Sequence, residues 1–245
     1  PALVTLLSSG VTPSQARNTP DGGFQPAGER RTPAPPPGRV ILEALWRIMA
    51  TRDLATAEHA LRVQRLAVAV AQEIGLGDGV IAAVNAAAPL HDIGKLAIPD
   101  SLLPRPGPLS REEYEIVQQH AGIGAEILSG IEGGAPLAEI VRHHHENWDG
   151  SGYPDNLRGQ AIPMGARVLA VVDCYDALTS ERPYRQPLEH TRALSLIVEA
   201  RGSMYEPELV DAFVRVIQGS TTADAGLPRD FSGSHPYQRP PLRVV

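Results

Sequence analysis

Three consecutive imidazoles, His143-His144-His145, close an apolar helical pattern and run into Glu146-Asn147-Trp148-Asp149-Gly150-Ser151-Gly152-Tyr153-Pro154, a loop crowded with metal-capable and ring-bearing side chains. Earlier in the chain, His91-Asp92-Ile93-Gly94-Lys95 sets another imidazole, a carboxylate and an amine close together. His59, His120 and Asp173 stand apart from both clusters. Neutral imidazoles and carboxylates are ligands for divalent metal ions, and mixed sets suit Fe, Mn, Co, Ni or Zn with positions left open for water. Cys174 is the single cysteine, so no thiolate cage for a structural zinc can form. Seven side chains exceed what one such ion uses, which makes two ions sharing one carboxylate the economical arrangement. Two divalent ions carry more charge than two carboxylates and a hydroxide remove, so the site stays positive and favours an anionic phosphodiester.

The elements that would position these groups read as helices, because the dominant apolar period is helical. Ile41, Leu45 and Ile48 mark a first helix. Val63, Leu66, Val70 and Ile74 mark a second that stops at Gly75, and Val80, Val84 and Ala88 a third. Ser110-Arg111-Glu112-Glu113 is a capping box opening a fourth, which carries Ile116, Val117, Ile127 and Leu128. Pro136 sits where a first-turn proline belongs, ahead of Leu137, Ile140 and Val141. Pro163 begins a sixth helix with Val168, Leu169 and Val172. Two more follow through Leu194, Ile197 and Val198, then Leu209, Val210, Phe213 and Ile217. No period-two segment stands out, so the fold class expected is all-α.

On these helices His59 precedes Val63 by four, His91 follows Ala88 by three, His120 follows Ile116 by four, His144 follows Val141 by three and Asp173 follows Leu169 by four. Such spacings point inward. A single histidine on an apolar face is ordinarily a core residue whose ring finds a hydrogen bond. Five of the eight histidines there, with Asp92 and Asp173, is a different situation. Burying two carboxylates without cations costs several kcal/mol each. His143, His190 and His235 keep the ordinary reading: one faces away on its helix, one lies on a surface helix, one in the tail.

Composition bounds the rest. The 245 residues are 42% hydrophobic but only 4% aromatic, so the core must be aliphatic. A net charge of -6 gives no footprint for duplex nucleic acid. No apolar run is long enough to span a bilayer, and one cysteine suits a reducing cytoplasm. Eight prolines before Gly38 make residues 1–38 a linker or disordered segment. Residues 220–245 read likewise as a disordered tail, leaving 39–219 as the folded domain.

His59, His91-Asp92 with Lys95, His120, His144-His145, Gly152-Tyr153-Pro154 and Asp173 together resemble the HD-GYP subgroup of HD-domain phosphohydrolases. The resemblance covers roughly residues 50–219, and its ordered series of motifs is specific where the His-Asp pair alone would be weak. It implies a compact helical HD-domain bundle with flexible Pro-rich ends, in a bacterial signalling enzyme that hydrolyses cyclic di-GMP to pGpG and on to GMP in some members. Carried over, His59, His91, Asp92 and Asp173 hold one metal and His120, His144 and His145 the second, with Asp92 bridging. A hydroxide between the ions is the nucleophile. Fe or Mn head the list of ions, with Zn, Co or Ni behind.

Lys95 matches the family lysine that contacts the reacting phosphate, beside Asp92 as the second catalytic residue. Ser180-Glu181-Arg182-Pro183-Tyr184-Arg185 resembles the substrate-binding segment, in which Arg182 and Arg185 offer guanidinium forks. Tyr153 either stacks on a base or locks the Gly152-Pro154 loop. Asp149 and Asp176 read as outer acceptors that orient ligands and loops, and Cys174 as a small buried side chain. Partners implied are the cyclic dinucleotide, a second copy of the chain, or a diguanylate-cyclase-type protein on the Gly-Tyr-Pro loop.

One position departs from the family. Some members carry a Glu four residues before the first ligand histidine and use it for a third metal, but here Ala55 stands there. Two ions are therefore expected, unless Asp53 substitutes. The competing functions are hydrolysis of another cyclic dinucleotide or a nucleotide, and a catalytically idle module that senses the dinucleotide or binds a partner.

Overall fold

The computed structural model describes residues 37–52, 54–103, 107, 109–181 and 186–221. Among them the helical period resolves into eight α-helices: α1 Pro37–Arg52, α2 Leu54–Glu73, α3 Asp78–Ala87, α4 Arg111–Ser129, α5 Ala135–His143, α6 Met164–Thr179, α7 His190–Glu199 and α8 Pro207–Thr221. Short 3-10 helices at Ala88–Leu90, Ile93–Ala97 and Gly159–Ala161 complete the set, and no strand occurs among the described residues. The all-helical expectation holds. The expected linker and tail lie outside the described residues, except that α1 takes in Pro37 and Gly38 and α8 runs on to Thr221.

Helix α6 is the axis of the bundle. Its sequence Met164-Gly165-Ala166-Arg167-Val168-Leu169-Ala170-Val171-Val172 is apolar nearly all round, and a helix of that kind must be covered on every side. Helices α2, α3, α5, α7 and α8 supply the cover. Gly165 lets α5 and α3 approach closely, since a Cβ there would stand 2.6 Å from Ile140 Cδ1 and 3.0 Å from Val84 Cγ2. No helix is long and apolar enough to cross a membrane among the described residues.

The sequence misjudges the buried face of α1. Trp46 and Met49 face the body, while Ile41 and Ile48 are about half exposed. The stripes 41/45/48 and 42/46/49 are adjacent on the helix, and burial of the large indole favours the second. Val80, Ile116 and Val198 are also exposed, beside buried Val84, Val117 and Ile197. The third helix ends one residue earlier than Ala88, where the chain tightens into the 3-10 turn that delivers His91. The capping box at α4 is formed: Glu113 N–H donates to Ser110 Oγ at 3.2 Å and Ser110 N–H to Glu113 Oε2 at 2.8 Å.

The contact that sets the site is between Ile93–Ala97 and α4. A Cβ on Gly94 would stand 1.9 Å from the His120 carbonyl oxygen and 2.7 Å from Gly124 N, so only glycine allows these backbones to touch. Gly94→Ala is expected to lower unfolding stability by about 1–3 kcal/mol or more. Gly79→Ala, in α3 with nothing within 4 Å, should instead be neutral or gain up to about 1 kcal/mol. Urea denaturation of both variants checks the pair, and equal effects would contradict the packing described.

Candidate metal centre

Five elements converge on one interior point. His59 comes from α2, His91 and Asp92 from the junction between two 3-10 helices, His120 from the middle of α4, His144 and His145 from the C-terminus of α5, and Asp173 from α6. Two groups of ligand atoms form, each with all atoms within 4.8 Å of one another: His120, His144 and His145 in one, His59, His91 and Asp173 in the other. Asp92 lies between them. Its Oδ2 is 3.4 Å from His91 Nε2 and its Oδ1 is 3.5 Å from His120 Nε2, so one carboxylate faces both groups.

The imidazoles are prepared as ligands by their own backbone. Nδ1 of His91 lies 2.7 Å from the Ala88 carbonyl oxygen, Nδ1 of His120 is 2.6 Å from that of Val117, and Nδ1 of His144 is 2.6 Å from that of Val141. A carbonyl oxygen only accepts, so each Nδ1 carries a proton, and in a neutral ring the lone pair is then left on Nε2. Nε2 of His120 and of His144 is buried without a hydrogen-bond partner. Burial holds the pKa of His144 down at about 3 and pushes those of His120 and His145 below the usual histidine range. Neutral, aimed and unpartnered imidazoles fit a divalent cation, and without one each orphaned nitrogen costs about 1–3 kcal/mol.

The carboxylates carry the negative charge. Burial alone would raise Asp92, but the Lys95 ammonium, with Nζ at 2.9 Å, holds it well below the ordinary range. Asp173 is likewise held ionised against burial, chiefly by His59, whose Nε2 is 3.1 Å from Asp173 Oδ1. His59 also lies between Asp173 and Asp176, its Nδ1 2.7 Å from Asp176 Oδ2. Burial alone would lower its pKa, but the hydrogen bonds to these two carboxylates raise it to about 9.

The loop after α5 folds back over the site. Gly150 has φ 83°, and a Cβ on Gly152 would stand 2.3 Å from Asn147 N and 2.5 Å from the His145 carbonyl oxygen. Tyr153 N–H donates to that same carbonyl at 3.2 Å. The Tyr153 ring then lies tilted on His145, with centroids 4.8 Å apart. Pro154 follows across a cis peptide bond at the edge of an open groove between α4 and α5. Glu146, buried, accepts from Asp155 N–H at 2.8 Å, and its other oxygen has no hydrogen-bond partner.

Several expectations change. His143, expected to face away, is buried, with Nδ1 2.9 Å from the Glu139 carbonyl oxygen and Nε2 2.9 Å from Asp155 Oδ2. It points away from the other histidines, but the returning loop covers it. His190 is exposed and shares a 2.7 Å hydrogen bond with Tyr175 Oη. Asp149 touches no ligand; its Oδ1 accepts from Ser151 N–H and shapes its own loop. Asp176 does touch one, His59. Cys174 is buried. Arg182, Arg185, Asp53 and His235 lie outside the described residues.

Sequence reasoning missed Arg62, whose Nε donates to Asp176 Oδ1 at 2.7 Å. A signal was available, because His59-x-x-Arg62 and Asp173-x-x-Asp176 share the spacing that puts two side chains on one helix face. Glu146 and Asp155 were missed too, and nothing local announces them.

Comparison with known proteins gives the family. A profile of the HD domain family matches residues 43–209. A cyclic di-GMP phosphodiesterase of Thermotoga maritima is 42% identical over 180 residues, covering 72% of this chain and 48% of that protein. A 3'3'-cGAMP-specific phosphodiesterase of Vibrio cholerae is 36% identical over 179 residues, covering 72% of this chain and 34% of that protein. The chain thus spans half or less of the length of these relatives. Among solved structures, an HDG"Y"P protein of Bdellovibrio bacteriovorus shares the fold, with a TM-score of 0.57 at 17% identity over 74% of this chain and 64% of that one. With the profile spanning most of the described helices, the chain belongs to the HD domain family.

Proposed function

We propose that this chain is a metal-dependent cyclic dinucleotide phosphodiesterase whose substrate is cyclic di-GMP and whose product is pGpG, with GMP as a further product. The observation that carries this reading is Asp92, one buried carboxylate turned toward two separate sets of imidazoles. His59, His91, Asp92 and Asp173 would hold one divalent ion, and His120, His144 and His145 a second that also shares Asp92. Fe or Mn suits these ligands best, with Zn, Co and Ni compatible. Such ions, when bound, lower the pKa of water toward about 7 and stabilise the charge on attacking and leaving oxygens.

The chain's own residues do the remaining work. Ring-to-carbonyl hydrogen bonds hold three imidazoles in the tautomer that binds. Tyr153, laid on His145, limits that ring's freedom and closes one side of the site. Lys95, partly exposed and 2.9 Å from Asp92, brings positive charge to where a phosphodiester must approach the carboxylate. Hydrolysis to pGpG breaks one P–O3′ bond and leaves the phosphate on the 5′ oxygen, so the reacting group keeps a negative charge that Lys95 can meet throughout. Arg182 and Arg185, in the segment after Ser180, supply forks for the second phosphate or a guanine edge. A second copy of the chain or a diguanylate-cyclase-type protein would dock at Pro154, where the groove between α4 and α5 opens.

A second reading, another cyclic dinucleotide, is favoured by the likeness to a relative named for 3'3'-cGAMP. Rates on cyclic di-GMP, 3'3'-cGAMP and cyclic di-AMP separate the two, and a bound dinucleotide that is never turned over in metal-replete protein would indicate the idle module.

Asp92→Ala is expected to abolish turnover and reduce the bound metal, and a strong chelator should silence the unaltered protein. Undiminished hydrolysis in either case ends the proposal. Lys95→Ala should cut kcat by about a hundred- to a thousand-fold while elemental analysis finds the metal content nearly unchanged; loss of metal would assign Lys95 to holding Asp92 instead. Arg185→Ala should raise KM by about ten-fold or more, the worth of one charge-assisted hydrogen bond, with kcat nearly kept. Unaltered KM would remove Arg185 from the substrate site.

A further inference from the structure

Helices α2 and α6 face each other with a matched pair of side chains on each. His59 and Arg62 stand one turn apart on α2, opposite Asp173 and Asp176, one turn apart on α6. His59 Nε2 meets Asp173 Oδ1 at 3.1 Å and His59 Nδ1 meets Asp176 Oδ2 at 2.7 Å. Arg62 then takes Asp176 with a fork, Nε to Oδ1 at 2.7 Å and one Nη to Oδ2 at 3.0 Å. The same Nη donates to Ser180 Oγ at 2.8 Å, and Ser180 Oγ is itself 3.0 Å from Asp176 Oδ2. Both oxygens of a buried carboxylate are therefore committed, and the plane of that carboxylate is fixed by a rigid guanidinium.

The imidazole inherits the constraint. With Asp176 clamped, His59 must direct Nδ1–H at it and turn Nε2 toward Asp173 and His91. Partners of this kind, one bond behind a metal ligand, set its tautomer, orientation and basicity. The clamp also reaches forward along the chain. Ser180 caps the C-terminus of α6 and leads, through Glu181, into the segment carrying Arg182 and Arg185.

We propose that Arg62 is a positioning residue that sets the affinity of the His59–His91–Asp92–Asp173 cation site through Asp176, without touching the ion, and leaves the His120–His144–His145 site unaffected. The inference rests on the two-ion reading above, and its test is separable from that reading. The proposal predicts asymmetry: loss of the fork loosens one ion and not the other. A purely structural arginine would shift thermal stability and both sites together.

The experiment uses the full 245-residue chain, stripped with chelator, dialysed and titrated with Mn2+ alone in competition with a chelating dye, with thermal unfolding of the metal-free protein recorded in parallel. Wild type should fill two sites. In Arg62→Met one site should keep its affinity within about two-fold and the other weaken by about 10- to 100-fold. Arg62→Lys keeps the charge but not the fork and should show the same asymmetry, which covers the case in which the methionine variant does not fold. Hydrolysis of cyclic di-GMP should fall at limiting Mn2+ and return to within about three-fold of wild type once excess Mn2+ fills both sites. Wild-type affinity at both sites, equal weakening of both, or turnover still low with both sites filled would each overturn the assignment. If wild type itself fails to take up two ions, the two-ion reading falls, and the assignment of Arg62 built on it falls with it.

Discussion

Three protons on three buried imidazoles govern the chemistry of this interior. His91, His120 and His144 each donate Nδ1–H to the carbonyl three residues back, at 2.6–2.7 Å. The bond is local, so the helix or turn that carries the ring also sets its tautomer and its aim. Burial then keeps the rings of His120 and His144 neutral and leaves their Nε2 atoms without a hydrogen-bond partner. Such an arrangement is unstable on its own terms, since orphaned buried nitrogens lose their hydration and gain nothing back. It makes sense as an interior prepared for positive ions.

Around these rings the charged groups alternate in sign. Asp92 has Lys95, Asp173 has His59, and Asp176 has both His59 and Arg62. A buried charge with its partner removed is strongly destabilising, whereas the intact pair is close to break-even. The set is consequently held together as a unit, and a cation entering it meets carboxylates that are already ionised. Lys95 and Arg62 lie at its two margins, both partly exposed, one beside the carboxylate shared by the two groups and one beside the exit of α6.

Close approach is what brings five elements to one point. Gly94 lets Ile93–Ala97 touch α4 at His120, Gly165 lets α6 settle on α5 and α3, and Gly152 lets the loop turn back onto His145. Each is a contact that a Cβ would obstruct. Covered on nearly every side, α6 serves as the reference against which α2 and α5 place their ligands. Shape complementarity around small residues thereby turns chemistry scattered over more than a hundred residues into one interior cluster.

Much of this was readable in one dimension. Helical period located the elements, Ser110 announced the start of α4, and the imidazoles at inward spacings marked the lining, because the turn angle of a helix converts residue number directly into direction. The limits follow from the same fact. Adjacent stripes on α1 could not be ranked until Trp46 had a surface to cover, and His143 could not be known as buried until the loop returned over it. The bond from Arg62 to Asp176, the two-sided exposure of Asp92 and the seat of Tyr153 on His145 all join side chains from different elements. A period along the chain gives the angle at which a side chain leaves its own axis; what lies across from it depends on how whole helices pack, and that was decided by tertiary structure alone.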